Sequence, residues 1–199
     1  MTYLEKIQRI LAHQTEMDQV FAAGRTPLLD AMRAAEKTFT EAHIAFAYAG
    51  GLARSFHGRP SSTEDVDFLV LASDVTKAEK ALLGAAFQKK DVLDYTKPKR
   101  MIHKFVFGDR EVDLLVFPQH ADFVQAVMER AKDVKGLGPV LSLEDLILLK
   151  LFSFRLKDKA HIIEVMAAKK PDIDYLKTWC GRFGVLDRFA FLLEDHGEA

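Results

Sequence analysis

The chain is 199 residues long, 49% hydrophobic and 29% charged, which suits one well-buried domain or a core with a small helical appendage and excludes a disordered chain, a membrane-embedded chain and a multidomain machine. Its 28 basic and 29 acidic side chains leave a formal charge of -1, so any site for a polyanion has to come from a local patch. The single cysteine, Cys180, can make neither an internal disulfide nor a thiolate zinc site and fits a reducing compartment.

Residues 1–19 carry polar or charged side chains every few positions, with no signal-peptide core and no apolar run of membrane-spanning length, so a cytoplasmic location without a membrane partner is expected. Leu4, Ile7, Ile10 and Leu11, and later Leu28, Leu29, Met32 and Phe39, recur at spacings of three and four, which predicts two amphipathic helices interrupted over 23–27. Pro27 after Thr26 suits a helix start. The apolar stretch 44–49 then runs into Gly50-Gly51 and a helical segment, 52–57, giving strand, glycine turn, helix. A second strand is predicted over 65–71 (DVDFLVL), a crossover helix over 75–90, and an extended pair over 101–107 and 111–117 turned by Gly108-Asp109. After Pro118 the pattern is helical except for a loop or short strand at 134–141, and Ser142 with Asp145 starts a helix over 143–154. The predicted fold class is α+β: N-terminal helices (1–38) packed on a core (39–118) with a small mixed sheet flanked by helices, followed by a helical C-terminal part (119–199).

Asp65 and Asp67 stand at i and i+2 of a strand, so both carboxylates project from one face about 7 Å apart, while Val66 and Phe68 face the core. Two carboxylates aimed at one place repel each other, and a divalent cation is the usual resolution. Asp113, an acid among apolar neighbours in a later strand, completes a triad if that strand pairs beside the first. Three oxygen donors on adjacent strands suit Mg²⁺ (or Mn²⁺) shared with substrate phosphates, and hence in-line displacement at phosphorus, with Asp113 placed to help deprotonate an incoming hydroxyl. Gly50-Gly51 at a strand–helix junction lets backbone amides approach a polyphosphate, aided by the helix N-terminus.

Gly50-Gly51, thirteen intervening residues, Asp65-Val66-Asp67 and the later apolar-flanked Asp113 resemble the signature of the nucleotidyltransferase superfamily, whose fold is shared with DNA polymerase beta. The stretch from Gly50 to Phe68 is similar in particular to the AbiEii-type toxin nucleotidyltransferases, and Leu143-Glu144-Asp145-Leu146 through Lys150, Arg155 and Lys157-Asp158 is like their helical half. The resemblance implies an enzyme that moves a nucleoside monophosphate from a nucleoside triphosphate to an acceptor hydroxyl and releases pyrophosphate. Asp65 and Asp67 would be metal ligands, Asp113 the third acid, and Gly50-Gly51 the triphosphate turn. RNA or transfer RNA, a protein hydroxyl and a small molecule all stay open as acceptors. The rival readings are a nucleotide-binding module without turnover and a toxin–antitoxin component acting through a cognate antitoxin or other partner protein.

Two cations join the nucleotide-binding set. Lys150 lies in a helix that is apolar nearly all round, where an ammonium must snorkel outward or meet an anion such as a triphosphate or Asp158. Arg59 sits in the polar loop before the first acidic strand, within reach of a triphosphate or a carboxylate. Lys89, Lys90, Lys97, Lys99, Arg100 and Lys104 gather around the hairpin as a candidate RNA-facing patch, with a solvated face as the plainer reading because Asp91 and Asp94 dilute the charge. His57 is read as packing or capping, His43 and His103 as structural or exposed, and Phe105, Phe107, Phe117 and Trp179 as core.

Overall fold

The computed structural model describes residues 26–58, 63–134 and 137–195; the predicted helix around Leu4 to Leu11 lies outside them. Helix α1 (Pro27–Glu41) starts where Thr26 Oγ1 accepts a hydrogen bond from the Leu29 N–H at 3.0 Å, with Pro27 in the first turn. Ala31, Met32, Ala35 and Phe39 form its buried stripe. Strand β1 (Phe46–Tyr48) leads into α2 (Gly50–His57), then β2 (Asp65–Val70), a short 3-10 turn and α3 (Val75–Gly84). Three strands follow, β3 (Gln88–Thr96), β4 (Lys99–Phe107) and β5 (Arg110–Val116). The remainder comprises α4 (Ala121–Arg130), β6 (Lys132–Val134), β7 (Gly138–Val140), α5 (Leu143–Ser153), α6 (Leu156–Ala168), α7 (Ile173–Phe183) and α8 (Leu186–Asp195).

The fold is α+β, built on a mixed sheet in the order β3-β4-β5-β2-β1-β7-β6. Strands β2 and β5 run parallel, as do β1 and β7, and the remaining neighbours are antiparallel. The β6–β7 hairpin extends this sheet beyond β1: β7 falls in the stretch 134–141 expected as a loop or short strand, and β6 takes residues from the predicted helical segment just before it. The crossover helix is shorter than its periodicity suggests. It ends at Gly84, and Ala86 adopts a left-handed φ of 66°, allowing the Phe87 N–H to reach Leu82 O at 3.1 Å. Lys89 and Lys90 therefore belong to β3, an exposed edge strand that apolar periodicity does not reveal.

Strand alternation sends the two faces of the sheet to different partners. Val66, Phe68 and Phe105 are fully buried on the side of α1, where Phe39 meets Phe68 edge-on at 5.2 Å, and His103 on that side reaches Glu79 of α3. Asp65, Asp67 and Asp113 take the other face, toward α2, α5 and α6. Aromatic rings of α4, α5 and α7 (Phe123, Phe152, Trp179 and Phe183) extend the same core under the helical part.

Candidate active site

The parallel register of β2 and β5 places Asp65 beside Glu111 and Asp67 beside Asp113. Side chains at paired positions of adjacent strands share a face, so all three predicted acids converge on one side of the sheet, two of them a single strand spacing of about 4.8 Å apart. The Ala49 N–H donates to Asp67 O at 2.9 Å, tying the end of β1 to β2. Gly50 then turns with φ 54°, and a Cβ there would lie 1.6 Å from Asp67 Oδ2, so only glycine lets the helix start press against this carboxylate. Gly51 is packed as tightly on Thr63, whose Oγ1 a Cβ would meet at 2.4 Å. Thr63 Oγ1 in turn donates to Asp65 Oδ1 at 2.8 Å, so both glycines abut the groups that hold the acidic pair.

The acids are electrostatically unsettled. Burial, followed by repulsion from Asp65 and Asp113, pushes the Asp67 carboxyl up to about 7. Asp113 is also raised by burial, against the pull of Lys104 from the neighbouring strand β4. Lys104 Nζ donates to Asp113 Oδ2 at 2.8 Å and Oδ1 at 3.1 Å, and stands 3.1 Å from Glu111. Among the described residues no three His, Cys, Asp or Glu side chains form a ready-made metal cage. Asp113 is turned to an ammonium instead.

Lys150 reaches this region from α5, and its field is felt at Asp67. Burial lowers its pKa, Asp158 opposes that shift, and its Nζ lies 3.3 Å from His161 Nδ1 and 4.0 Å from Asp158 Oδ1. The His161 pKa is itself pushed down by burial and by Lys150, so its neutral ring can accept a hydrogen bond from the Lys150 ammonium. Arg155, at the start of α6, donates to Asp158 at 2.7 Å and lies within electrostatic reach of Asp67.

The structure thus brings together Asp65, Asp67, Asp113, Gly50 and Gly51, with Lys150 facing them; Arg59 lies outside the described residues. Most of the basic patch is answered by acids: Lys89 by Glu79, Lys90 by Glu111, Lys99 by Asp94 and Lys104 by Asp113. His57 is buried, its Nε2 at 2.6 Å from Leu141 O, in keeping with a packing role. Lys104 is the site residue that sequence reasoning misplaced. Its position was accessible by arithmetic: a two-residue turn at Gly108-Asp109 pairs Phe107 with Arg110, which forces Lys104 opposite Asp113.

No protein-family model matches the chain, and no curated protein matches its sequence. Solved structures do match. The solution structure of the antibiotic-resistance factor ANT(2'')-Ia aligns over 84% of this chain and 95% of its own, with a TM-score of 0.53 at 13% identity. The crystal structure of ANT(2'')-Ia in complex with adenylyl-2''-tobramycin aligns over 80% and 97%, with a TM-score of 0.54 at 12% identity. A lincomycin-bound lincosamide antibiotic adenylyltransferase aligns over 66% and 91%, with a TM-score of 0.44 at 17% identity. The chain has the nucleotidyltransferase fold, as the glycine turn and paired acids imply.

Proposed function

We propose that this chain transfers a nucleoside monophosphate from a nucleoside triphosphate to an acceptor hydroxyl, with Mg²⁺ or Mn²⁺ held by Asp65 and Asp67 and completed by Asp113. The observation that carries the reading is the side-by-side placement of Asp67 and Asp113, with the Gly50 turn packed on the Asp67 carboxylate. The donor set fits such a cation: all three groups are carboxylate oxygens, and Asp67 is held near neutrality by burial and then by like charge, which a divalent ion would relieve. When bound, the metal supplies charge neutralisation at the phosphates. Lys104 stands at the third acid and would have to swing toward Glu111 for Asp113 to join.

In this reaction the acceptor oxygen forms a bond to the α-phosphorus while the bond from that phosphorus to the β-bridging oxygen breaks, and pyrophosphate departs with the electron pair. The acceptor proton goes to a site carboxylate, Asp113 being placed for it. The Gly50-Gly51 helix start and Lys150 hold the phosphate tail, with stabilisation of developing charge as the main source of rate. The fold likeness to a structure holding an adenylylated antibiotic supports nucleotidyl transfer as the reaction class.

The test is pyrophosphate release from each nucleoside triphosphate with Mg²⁺, in wild type and in Asp67→Asn. Metal-dependent release that falls by about 10³-fold in the variant is expected. Nucleotide binding with no release from the wild type, across a panel of hydroxylated acceptors, would show a binding module instead.

A further inference from the structure

Arg100 is a buried cation with no acid partner among the described residues. It is 7% exposed, its Nη1 is buried without a hydrogen-bond partner, and its one close interaction is with the Tyr95 ring, 4.2 Å from the guanidinium carbon. A guanidinium cannot shed its charge to escape burial, so an unpaired one in this position is expensive unless an anion arrives. The groups packed around it add to the positive field. Burial and the nearby Arg188 and Arg155 all work against its charged form. Arg188 is spent on the Leu151 and Phe152 carbonyls, at 2.8 and 3.0 Å.

Arg100 opens into a cavity of about 310 Å³ lined by Tyr95, Thr96, Lys97, Phe152, Ser153 and Arg155. Lys97 carries no acid partner there, and no carboxylate lines the cavity among the described residues. This cavity lies on the same face of the sheet as the acids. Lys104 stands opposite Asp113, and Arg100 lies four residues earlier on the same strand, about 13 Å away by strand geometry. Arg155 bridges the gap, within electrostatic reach of Asp67 at one end and Tyr95 at the other.

We propose that this cavity is the acceptor pocket, and that the acceptor is a small molecule bearing a phosphate or carboxylate, held by Arg100 and Lys97 while its hydroxyl lies toward Asp113. The inference rests on the nucleotidyl-transfer reading for the word acceptor, but not for the anion site itself. The ring of Tyr95 and the side chain of Phe152 offer apolar walls, and the size suits one phosphorylated or carboxylated unit. A polycationic acceptor would be repelled from it.

The anion site is tested without nucleotide or metal, so its outcome is separable from that of the transfer assay. Inorganic phosphate, ribose 5-phosphate, citrate and a single-stranded RNA oligonucleotide are titrated by calorimetry and thermal melting into wild type, Arg100→Met, Lys97→Gln, Lys150→Met and Asp67→Asn. Ribose 5-phosphate or citrate should bind the wild type and raise its melting temperature. Binding should weaken at least tenfold in Arg100→Met and about threefold in the surface variant Lys97→Gln, and persist in Asp67→Asn and Lys150→Met. With no anion present, Arg100→Met should melt no lower than wild type, because a buried unpaired charge has been removed. The proposal is overturned if Arg100→Met and Lys97→Gln bind these anions as wild type does, if binding is lost in Lys150→Met instead, or if Arg100→Met alone melts several degrees lower. Arg100-dependent binding of RNA a hundredfold tighter than of ribose 5-phosphate would overturn the small-molecule assignment.

Discussion

Burial presses on both Asp145 and Asp67, and the fold treats the two in opposite ways. At the start of α5, Asp145 is fully buried, and its two oxygens accept hydrogen bonds from the Ser142 hydroxyl at 2.6 Å and the Tyr175 hydroxyl at 2.6 Å, with Arg130 Nε 3.5 Å away. Burial raises its pKa and every neighbour but Glu144 pulls it back. At the edge of β2, Asp67 is raised by burial and raised again by Asp65 and Asp113. The first carboxylate completes a network within the chain. The second is held against like charge, a state that stabilises nothing in the isolated protein and that a cation brought from outside would relieve.

The largest expected effect breaks the structural half of this contrast. Asp145→Ala would leave the Ser142 and Tyr175 hydroxyls without their acceptor and open a buried gap beside Arg130, and should cost about 3–5 kcal/mol. Urea unfolding measures it, and pyrophosphate release below the unfolding transition should survive. Gly50→Ala comes next and couples both halves. The methyl would occupy the space of Asp67 Oδ2 at a φ of 54°, so overpacking and backbone strain together should cost about 2–4 kcal/mol, and activity should collapse as the acid is displaced. An alanine variant that kept wild-type turnover would show that the close packing of turn and acid is dispensable.

Asp67→Asn sharpens the contrast through pH. An unfolded aspartate titrates near 3.9 and the folded Asp67 near 7, so the folded state holds its proton longer. Below both values the group is neutral in either state and contributes nothing. As pH rises between them the unfolded chain alone loses the proton, so the metal-free protein is progressively destabilised, by up to about 4 kcal/mol once pH passes the folded value. Asp67→Asn should therefore be more stable than wild type at pH 8, equal to it at pH 3.5, and the gap should narrow when Mg²⁺ is added. Chemical denaturation at the two pH values, with and without metal, reads this directly.

The acid triad and the glycine turn were legible because they rest on rules a sequence expresses: alternation puts Asp65 and Asp67 on one face, and a glycine before a helix admits a close approach. Pairing of β2 with β5, in contrast, is a long-range parallel match that only the fold supplies. Strand β3 escaped notice because QKKDVLDYT, at the sheet edge, buries no continuous apolar face. In the β6–β7 hairpin, β7 falls in the stretch 134–141 expected as a loop or short strand, whereas β6, three residues long and paired to β7, carries too little pattern to stand out from a helix. Arg100 and Lys104 looked like members of one solvated cluster. Two strand partners separate them: Lys104 meets acids across the hairpin, while Arg100 is buried beneath Tyr95 with none. Charge counting along the chain cannot distinguish the two fates.

The smallest expected effect asks whether Lys104 stands where a cation belongs. Its pair with Asp113 is largely shielded from solvent, so Lys104→Met should cost about 1–2 kcal/mol in metal-free protein at pH 8. At pH 3.5 the cost should shrink, since the raised Asp113 carboxyl is then mostly protonated with or without its partner. The informative quantity is the response to Mg²⁺. If the ammonium and the metal compete for the same carboxylate, Mg²⁺ must displace Lys104 in the wild type but not in the variant, so Lys104→Met should bind it more tightly and gain more in melting temperature. Equal Mg²⁺ shifts in both proteins would mean that Lys104 only braces the β4–β5 hairpin, and that Asp113 lies outside the metal's reach.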